Sequence, residues 1–541
     1  MTTRKTSAPA PEPILTFHGA ARAVTGSCFR LETSKGQILI DCGLFQGSKT
    51  EKSLNYRPFP FEPGKIAAVI LSHAHIDHSG LLPKLVCHGF DGTIHATPAT
   101  VGLCGVMLPD SAHIQEIEVE QYNARAERRH KERIVPIYTS ADVKACLKCF
   151  AQHGTGEWFD VIAGVKARFW NAGHLLGSAS IEVEIAQDAG RPPMRILFSG
   201  DIGPDHKLLQ PNPDGPSGID YLICESTYGD TDREDATAER RRDLLAREVR
   251  AAMQPNGALL IPSFAVERAQ ELVSDLGQLM AEGKLPVIPI YVDSPLASRA
   301  TDVFKEHANE LESGATLMQG LGAHHVHFTQ TREQSIALDH VRDFHIVIAA
   351  SGMCEAGRIR HRLRNWIWRD DATILLTGFQ AEGTLGRILQ DGARSVRIQG
   401  EEFRVRARVR SIDLYSGHAD GPELVRWIRE RLPLTHGLFL IHGESAAMDG
   451  LAERLKGVVS PDRIRRPALD EGFILTSQGA APVPATAQPR LPPEKVARLD
   501  WHNDLTALIL DINDAAAALA DERARDALIR RLRRALEDGS D

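Results

Sequence analysis

Three imidazoles and a carboxylate fall within six residues, at His73, His75, Asp77 and His78, directly after the apolar run Ala67-Ala68-Val69-Ile70-Leu71. A short apolar run before a polar segment reads as a buried strand, so HAHIDH begins where a rigid strand ends. Neutral imidazole and carboxylate oxygen are the donors that a borderline divalent cation such as zinc prefers. A loop at a strand end can aim alternate side chains at different ions, which makes this segment half of a two-metal site. Any fold open to this chain must bring the missing donors to that loop.

Those donors stand at other strand ends. His174 lies in AGHLLGSAS, Asp201 in FSGDIG and His442 in LIHGES, each just past an apolar run and beside glycine. Such positions project a side chain from a rigid edge while the glycine permits a tight turn. Added to HAHIDH, they close two coordination shells that share one bridging carboxylate. Asp41, in LIDCG, reads as a carboxylate that orients a ligand rather than as a ligand.

The chain of 541 residues is 43% hydrophobic, enough for two to four globular domains. From Ile14 to Asp41, LTFHGAA, SCFRLET and QILIDCG alternate as short strands, and strand-like runs recur to Cys224 with helical patterns between, indicating α/β layers. A second block, about Asp230 to Gln399, alternates helix and strand as a doubly wound unit would. Strand character returns from Phe403, followed by a helix near Pro422 to Arg431 and the strand GLFLIHG. Residues 477 to 495 are rich in Pro and Ala and read as a linker. The tail from Trp501 carries leucines at helical spacing, which suits packing on its own subunit or a homodimer contact, while Arg530, Arg531, Arg533 and Arg534 could grip RNA.

No stretch reaches the roughly 20 uncharged apolar residues of a membrane helix, and the N-terminus lacks the apolar core of a secretory signal, so a cytoplasmic protein is expected. The eight cysteines have no framework spacing, which fits reduced thiols; Cys146 and Cys149 form a lone CxxC, open to helix packing or to redox or metal use. A net charge of −8 excludes a basic coat protein but not a nuclease, because two bound cations supply local positive charge.

HAHIDHSG, GHLLGSA and FSGDIG resemble successive motifs of the metallo-β-lactamase fold. CESTYGD from Cys224, IPSFAVERAQEL from Ile261, VDSPLA from Val292, SGMCEAGRIRHRL from Ser351, TGFQAEGTLGR from Thr377, YSGHAD from Tyr415 and IHGE from Ile441 are similar to the β-CASP nucleases, a branch that includes the pre-mRNA 3′-end-processing endonuclease and RNase J. The resemblance runs in order from about Gly19 to Glu444 and implies an αββα sandwich (14–229 and 401–476) with an inserted β-CASP α/β domain (230–400). The linker (477–500) and helical tail (501–541) lie outside it.

By that resemblance His73, His75 and His174 hold one zinc, Asp77, His78 and His442 the other, and Asp201 bridges them. Glu225 and His418 match the paired acid and histidine beside the scissile phosphate, so that Asp77, Glu225 and His418 carry the chemistry. A carboxylate that orients an imidazole keeps a proton donor ready for the departing 3′ oxygen. His at position 442 accompanies RNA rather than DNA cleavage in the family. The implied activity is zinc-dependent hydrolysis of single-stranded RNA by a metal-activated hydroxide. Ser351 with Gly352, Ser416 with Gly417, and Arg268 or Arg358 could hold phosphate oxygens, or serve as ordinary turns and surface arginines. Two competing functions are a small ester or thioester hydrolase of the same fold, which leaves Asp230 to Gln399 unexplained, and an inactive scaffold, which is at odds with a full set of ligand positions.

Overall fold

A computed structural model describes residues 11–127, 132–187, 191–205, 207–233, 237–378, 380, 384–484, 490–491 and 521–538, with 508, 512, 515, 516, 518 and 519 between. The alternating runs of the first third form an antiparallel meander, Ile14–Phe17, Phe29–Thr33 and Gly36–Ile40, with Phe17 opposite Phe29 and Phe29 opposite Ile40. Ile66–Ile70, Thr93–Ala96 and Phe150–Gln152 extend it in parallel, while Glu471–Thr476 and Gly479–Pro482 add the far edge, giving eight strands. A second sheet of seven strands runs from Trp158–Ile162 through Val165–Asn171, Ala179–Ile185, Met194–Phe198, Ile219–Glu225 and Leu434–Ile441 to Ile464–Arg465.

The inner faces of the two sheets share one core. Phe17 meets Phe439 with ring centroids 5.1 Å apart, and Phe29 meets Phe198 at 6.2 Å, contacts that cross from one sheet to the other. Alternation along each strand sends every second side chain into this layer and the rest toward covering helices. Leu82–Cys87, Pro98–Glu127 and Ser140–Cys146 cover the first sheet, and Gly421–Glu430 with Ser445–Arg454 covers the second. The result is the αββα sandwich expected from the sequence.

The six strands of a third sheet are all parallel, in the order Val326–Phe328, Ile290–Asp293, His345–Ala349, Ala258–Pro262, Ala372–Leu376 and Arg408–Ser411. Its central strands are buried on both faces and therefore read as unbroken apolar runs. Ala238–Ala252 and Arg268–Ala281 pack on one face, Gly357–Trp366 and Leu385–Gln390 on the other.

Two boundaries shift from the expectation. Arg408–Ser411 pairs with Ala372–Leu376, so the chain leaves the third sheet after residue 411 rather than at 401. This edge strand is largely exposed and polar, and its own pattern does not reveal which sheet it joins. The stretch read as linker opens with the strand Gly479–Pro482, and Arg490 beyond it binds Asp470 at 2.9 Å. Residues 485–489 and 492–507 lie outside the described residues; of the tail, Glu522–Asp538 is a helix. All eight cysteines are free thiols, and Cys146 is buried at the end of its helix, against the first sheet's helical layer. No helix among the described residues is long and apolar enough to cross a membrane.

Candidate metal centre

One rim of the sandwich collects the strand ends that matter. Met194–Phe198, Ile219–Glu225 and Leu434–Ile441 run parallel, so Asp201, Glu225 and His442 emerge side by side. Gly36–Ile40 and Ile66–Ile70 are parallel in the facing sheet and deliver Asp41 and HAHIDH to the same rim. Asp41 and His442 both adopt left-handed backbone, at φ 59° and 48°. Non-glycine residues pay for that conformation, and such strain concentrates where a side chain must point one way.

Seven side chains converge there as two donor groups. The ligand atoms of His73, His75, His174 and Asp201 all lie within 4.8 Å of one another, and so do those of Asp77, His78 and His442. Asp201 also reaches the second group, with its Oδ1 3.3 Å from Nε2 of His78 and 3.6 Å from Nδ1 of His442. The structure thus brings all seven candidate ligands together.

The surroundings decide which way the imidazoles present their lone pairs. Nδ1 of His78 donates to Asp41 at 2.7 Å, Nδ1 of His174 to the Gly417 carbonyl at 2.6 Å, and Nδ1 of His73 faces the Ser72 hydroxyl at 3.0 Å. With the proton held on the outer nitrogen, Nε2 of each ring turns a lone pair inward. Nε2 of His73 and of His174 both lie beside Nδ1 of His75, at 3.2 and 3.1 Å. Three ring nitrogens facing one another cannot all be satisfied by hydrogen bonds, but they suit a cation between them.

Electrostatics divide the imidazoles into two sets. Burial, reinforced by neighbouring imidazoles, pushes His73 and His174 well below the usual histidine range and His75 to about 4, keeping them neutral near pH 7. His78 and His442 are also disfavoured as cations by burial, yet Asp201, with Asp41 beside His78 and Asp77 beside His442, outweighs it and raises both. Burial opposes ionisation of Asp201, and His442, His78 and His73 outweigh it, so its carboxyl is held well below the usual range. Its Oδ1 is buried and makes no hydrogen bond among the described residues, an orphaned anionic oxygen in a cage of nitrogen donors. The residues present fit a pair of divalent cations.

His418 sits on the open side of this cage. Its Nδ1 is 3.1 Å from Oε1 of the fully buried Glu225, and its Nε2 is 4.0 Å from Oδ2 of Asp201. Glu225 is itself fixed by the Ile202 amide at 2.6 Å and the Thr227 amide at 3.2 Å. Gly417, the preceding residue, has no room for a side chain: a Cβ there would lie 2.9 Å from Cε1 of His174.

The candidate phosphate holders fare unevenly. Arg358 is spent inside the third sheet's unit, on Asp293 at 2.9 Å and on the carbonyls of Thr329 and Gln330. Ser351 accepts the amides of Glu355 and Ala356, and the Gly352 carbonyl accepts from Gln380. Arg268 is close to the site: its Nε donates to the Tyr415 carbonyl at 2.9 Å, and its guanidinium lies over Phe264. The Ser416 hydroxyl accepts the His418 amide and so shapes that turn. Ser416 also lines a cleft of about 460 Å³ with Lys207, Arg233, Arg241, Asp413 and Tyr415.

Several contributors carry no sequence signal of their own. Thr227 meets Nδ1 of His442 at 3.1 Å, and Ser72 donates to Asp41 at 2.8 Å. Arg233 donates to the His418 carbonyl at 2.9 Å and stacks on Tyr228. Ser72 and Thr227 fall within LSHAHIDHSG and CESTYGD, where only their proximity to ligands marks them.

Comparison with known proteins agrees with this geometry. Three family descriptions match in chain order: the metallo-beta-lactamase superfamily over residues 21–108, the Beta-Casp domain over 269–389, and the Zn-dependent metallo-hydrolase RNA specificity domain over 402–462. Ribonuclease TTHA0252 of Thermus thermophilus is 35% identical over 427 residues, which span 77% of this chain and 92% of that protein. The RNase J-like protein of Methanocaldococcus jannaschii is 30% identical over 436 residues, covering 80% and 92%. The transcription termination factor FttA of the same organism is 30% identical over 457 residues, covering 82% and 68%. With the αββα sandwich, its inserted parallel sheet and the histidine-rich rim in place, the chain belongs to the β-CASP family of metallo-β-lactamase-fold ribonucleases.

Proposed function

We propose that the chain is a two-zinc ribonuclease that hydrolyses phosphodiester bonds of single-stranded RNA. His73, His75 and His174 would hold one ion and Asp77, His78 and His442 the other, with Asp201 shared. Zinc bound there would lower the pKa of water toward neutrality and offset the negative charge on the phosphoryl oxygens during in-line displacement. The observation that carries the reading is the orphaned Oδ1 of Asp201 between two donor groups, with Nε2 of His418 4.0 Å from its other oxygen.

The protein's own residues divide the remaining work. Asp41, Ser72, Gly417 and Thr227 fix the orientation of His78, His73, His174 and His442, so that the donor cage is set before substrate arrives. Glu225 accepts from Nδ1 of His418, so that the imidazolium form of the ring carries its second proton on Nε2, toward the reacting centre. That proton goes to the departing 3′ oxygen. RNA as the substrate is supported by the RNA specificity region, whose matched residues include His418 and His442.

The test uses purified protein, linear single-stranded RNA with 5′-triphosphate or 5′-monophosphate ends, circular RNA and a small thioester. RNA hydrolysis that stops with chelator and returns with zinc is expected. Thioester turnover with RNA left intact would overturn the proposal. Cleavage of the circle assigns endonucleolytic action, and cleavage of linear RNA alone assigns a need for a 5′ end.

A further inference from the structure

Glu267 is out of place by ordinary backbone rules. It precedes the helix Arg268–Ala281 with φ 70° and ψ −64°, a left-handed conformation that favours glycine, yet it carries a long charged side chain. From that N-cap position the carboxylate makes no capping bond to its own helix. It turns into the sandwich instead and is 4% exposed.

What it meets there is the loop that carries His174. Oε2 of Glu267 accepts the Leu176 amide at 3.2 Å, and both carboxylate oxygens accept from Nε2 of Gln210, at 3.0 and 3.1 Å. Oε1 lies 3.5 Å from Nζ of Lys207, which is itself buried and donates to the carbonyl of His174. One carboxylate from the inserted unit thus holds the 174–176 loop directly through Leu176 and indirectly through Lys207. The ring of His174 is set from its other side by the Gly417 carbonyl, so its backbone and its Nδ1 are clamped by separate elements.

We infer that Glu267 is a positioning residue for His174, tying the placement of the inserted unit to the geometry of one metal position. The strained backbone is the cost of bringing a carboxylate to a place that a relaxed N-cap would not reach. Outer contacts of this kind set the orientation of a ligating imidazole and typically change metal affinity by about 10- to 100-fold when removed. The inference rests on His174 being a ligand, as proposed above.

The experiment separates the two. His174→Ala is assayed first for zinc equivalents and for the visible spectrum of the cobalt-substituted protein; an unchanged metal content refutes the ligand reading itself. Glu267→Gly combined with Lys207→Met then relieves the backbone, leaves no unpaired buried cation and removes both links to the loop. With metal-free Tm close to the parent protein, zinc affinity at one of the two positions should fall by about tenfold or more, the cobalt spectrum should shift, and kcat should fall with KM unchanged. Glu267→Gln keeps an acceptor for the Leu176 amide and should restore much of the affinity. Wild-type zinc affinity and cobalt spectrum in the double variant would overturn the inference. Should the double variant not fold, Glu267→Gly alone decides: a measurable loss of zinc affinity that Glu267→Gln does not show, with metal-free Tm close to the parent protein, supports the inference, and wild-type affinity in Glu267→Gly overturns it.

Discussion

Nδ1 of His418 lies 3.1 Å from Oε1 of Glu225, a pairing that joins residues 193 positions apart. The carboxylate is fully buried and twice more anchored by backbone amides, so the imidazole is the movable member of the pair. His418→Ala is therefore expected to slow RNA cleavage by about 100-fold or more, the usual scale for a general acid, with zinc content unchanged. Single-turnover kinetics at near-wild-type rate would remove His418 from the proton-donor role. His442→Ala should differ by losing metal as well as activity.

Metal analysis of protein purified without added zinc should give close to two equivalents per chain. Chelation should lower Tm, because ions that bind only the folded chain stabilise it by mass action. Calorimetry with and without chelator checks this, and one reproducible equivalent in fully active protein would rule out the two-ion arrangement.

Gly417→Ala should act on the metal site although it changes no ligand. The new methyl would lie 2.9 Å from the His174 ring, and the ring has to move away from its position. Reduced zinc occupancy at one position, with Tm of the metal-free protein little altered, is the expected result. Equal occupancy in wild type and variant would show that the turn relaxes instead.

His18 gives the fold a defined acid response. Burial lowers its pKa to about 4, despite its contact with Asp470. A group whose folded pKa is depressed contributes stability above its unfolded pKa of about 6.5 and loses it as pH falls through the folded value. His18→Gln has no such charge to acquire, so the stability advantage of wild type over the variant should shrink between pH 6.5 and 4. Tm measured across that window tests the sign; an advantage that grows toward acid would contradict it.

A chain ending at residue 495 should retain full zinc content and RNA cleavage, since every proposed ligand and both acid-base residues precede it. Ending the chain at residue 477 is different. That cut removes the strand Gly479–Pro482, the bond from Arg490 to Asp470 and the burial of Leu491 against Phe45, Leu54 and Leu469. A clear drop in Tm for the shorter chain alone is expected. Solution mass of the full chain against the chain ending at 495 also tests the tail as a dimer contact.

What could be read from the sequence follows the range of each interaction. HAHIDH is local, and His174, Asp201 and His442 are each announced by an apolar strand and a glycine, so all seven candidate ligands stand out before any geometry. Lys207 and Glu267 were not, because their contacts reach 33 and 91 positions along the chain and neither has a local pattern. Arg358 looked available for phosphate because its countercharge, Asp293, is 65 positions away. The edge strands Arg408–Ser411 and Gly479–Pro482 were hidden for a related reason: an edge strand is defined by its neighbour, not by its own alternation.

The parallel pairing of Ile219–Glu225 with Leu434–Ile441 has a consequence for how the enzyme comes into being. Synthesis proceeds from the N-terminus, and for most of translation the ribosome has yet to release the strand that carries His442 or the turn that carries His418. A nascent chain holding HAHIDH, His174 and Asp201 has one donor group complete and the other open, with no proton donor in place. The second donor group and the proposed proton donor therefore come together only after residues 418 and 442 have left the ribosome.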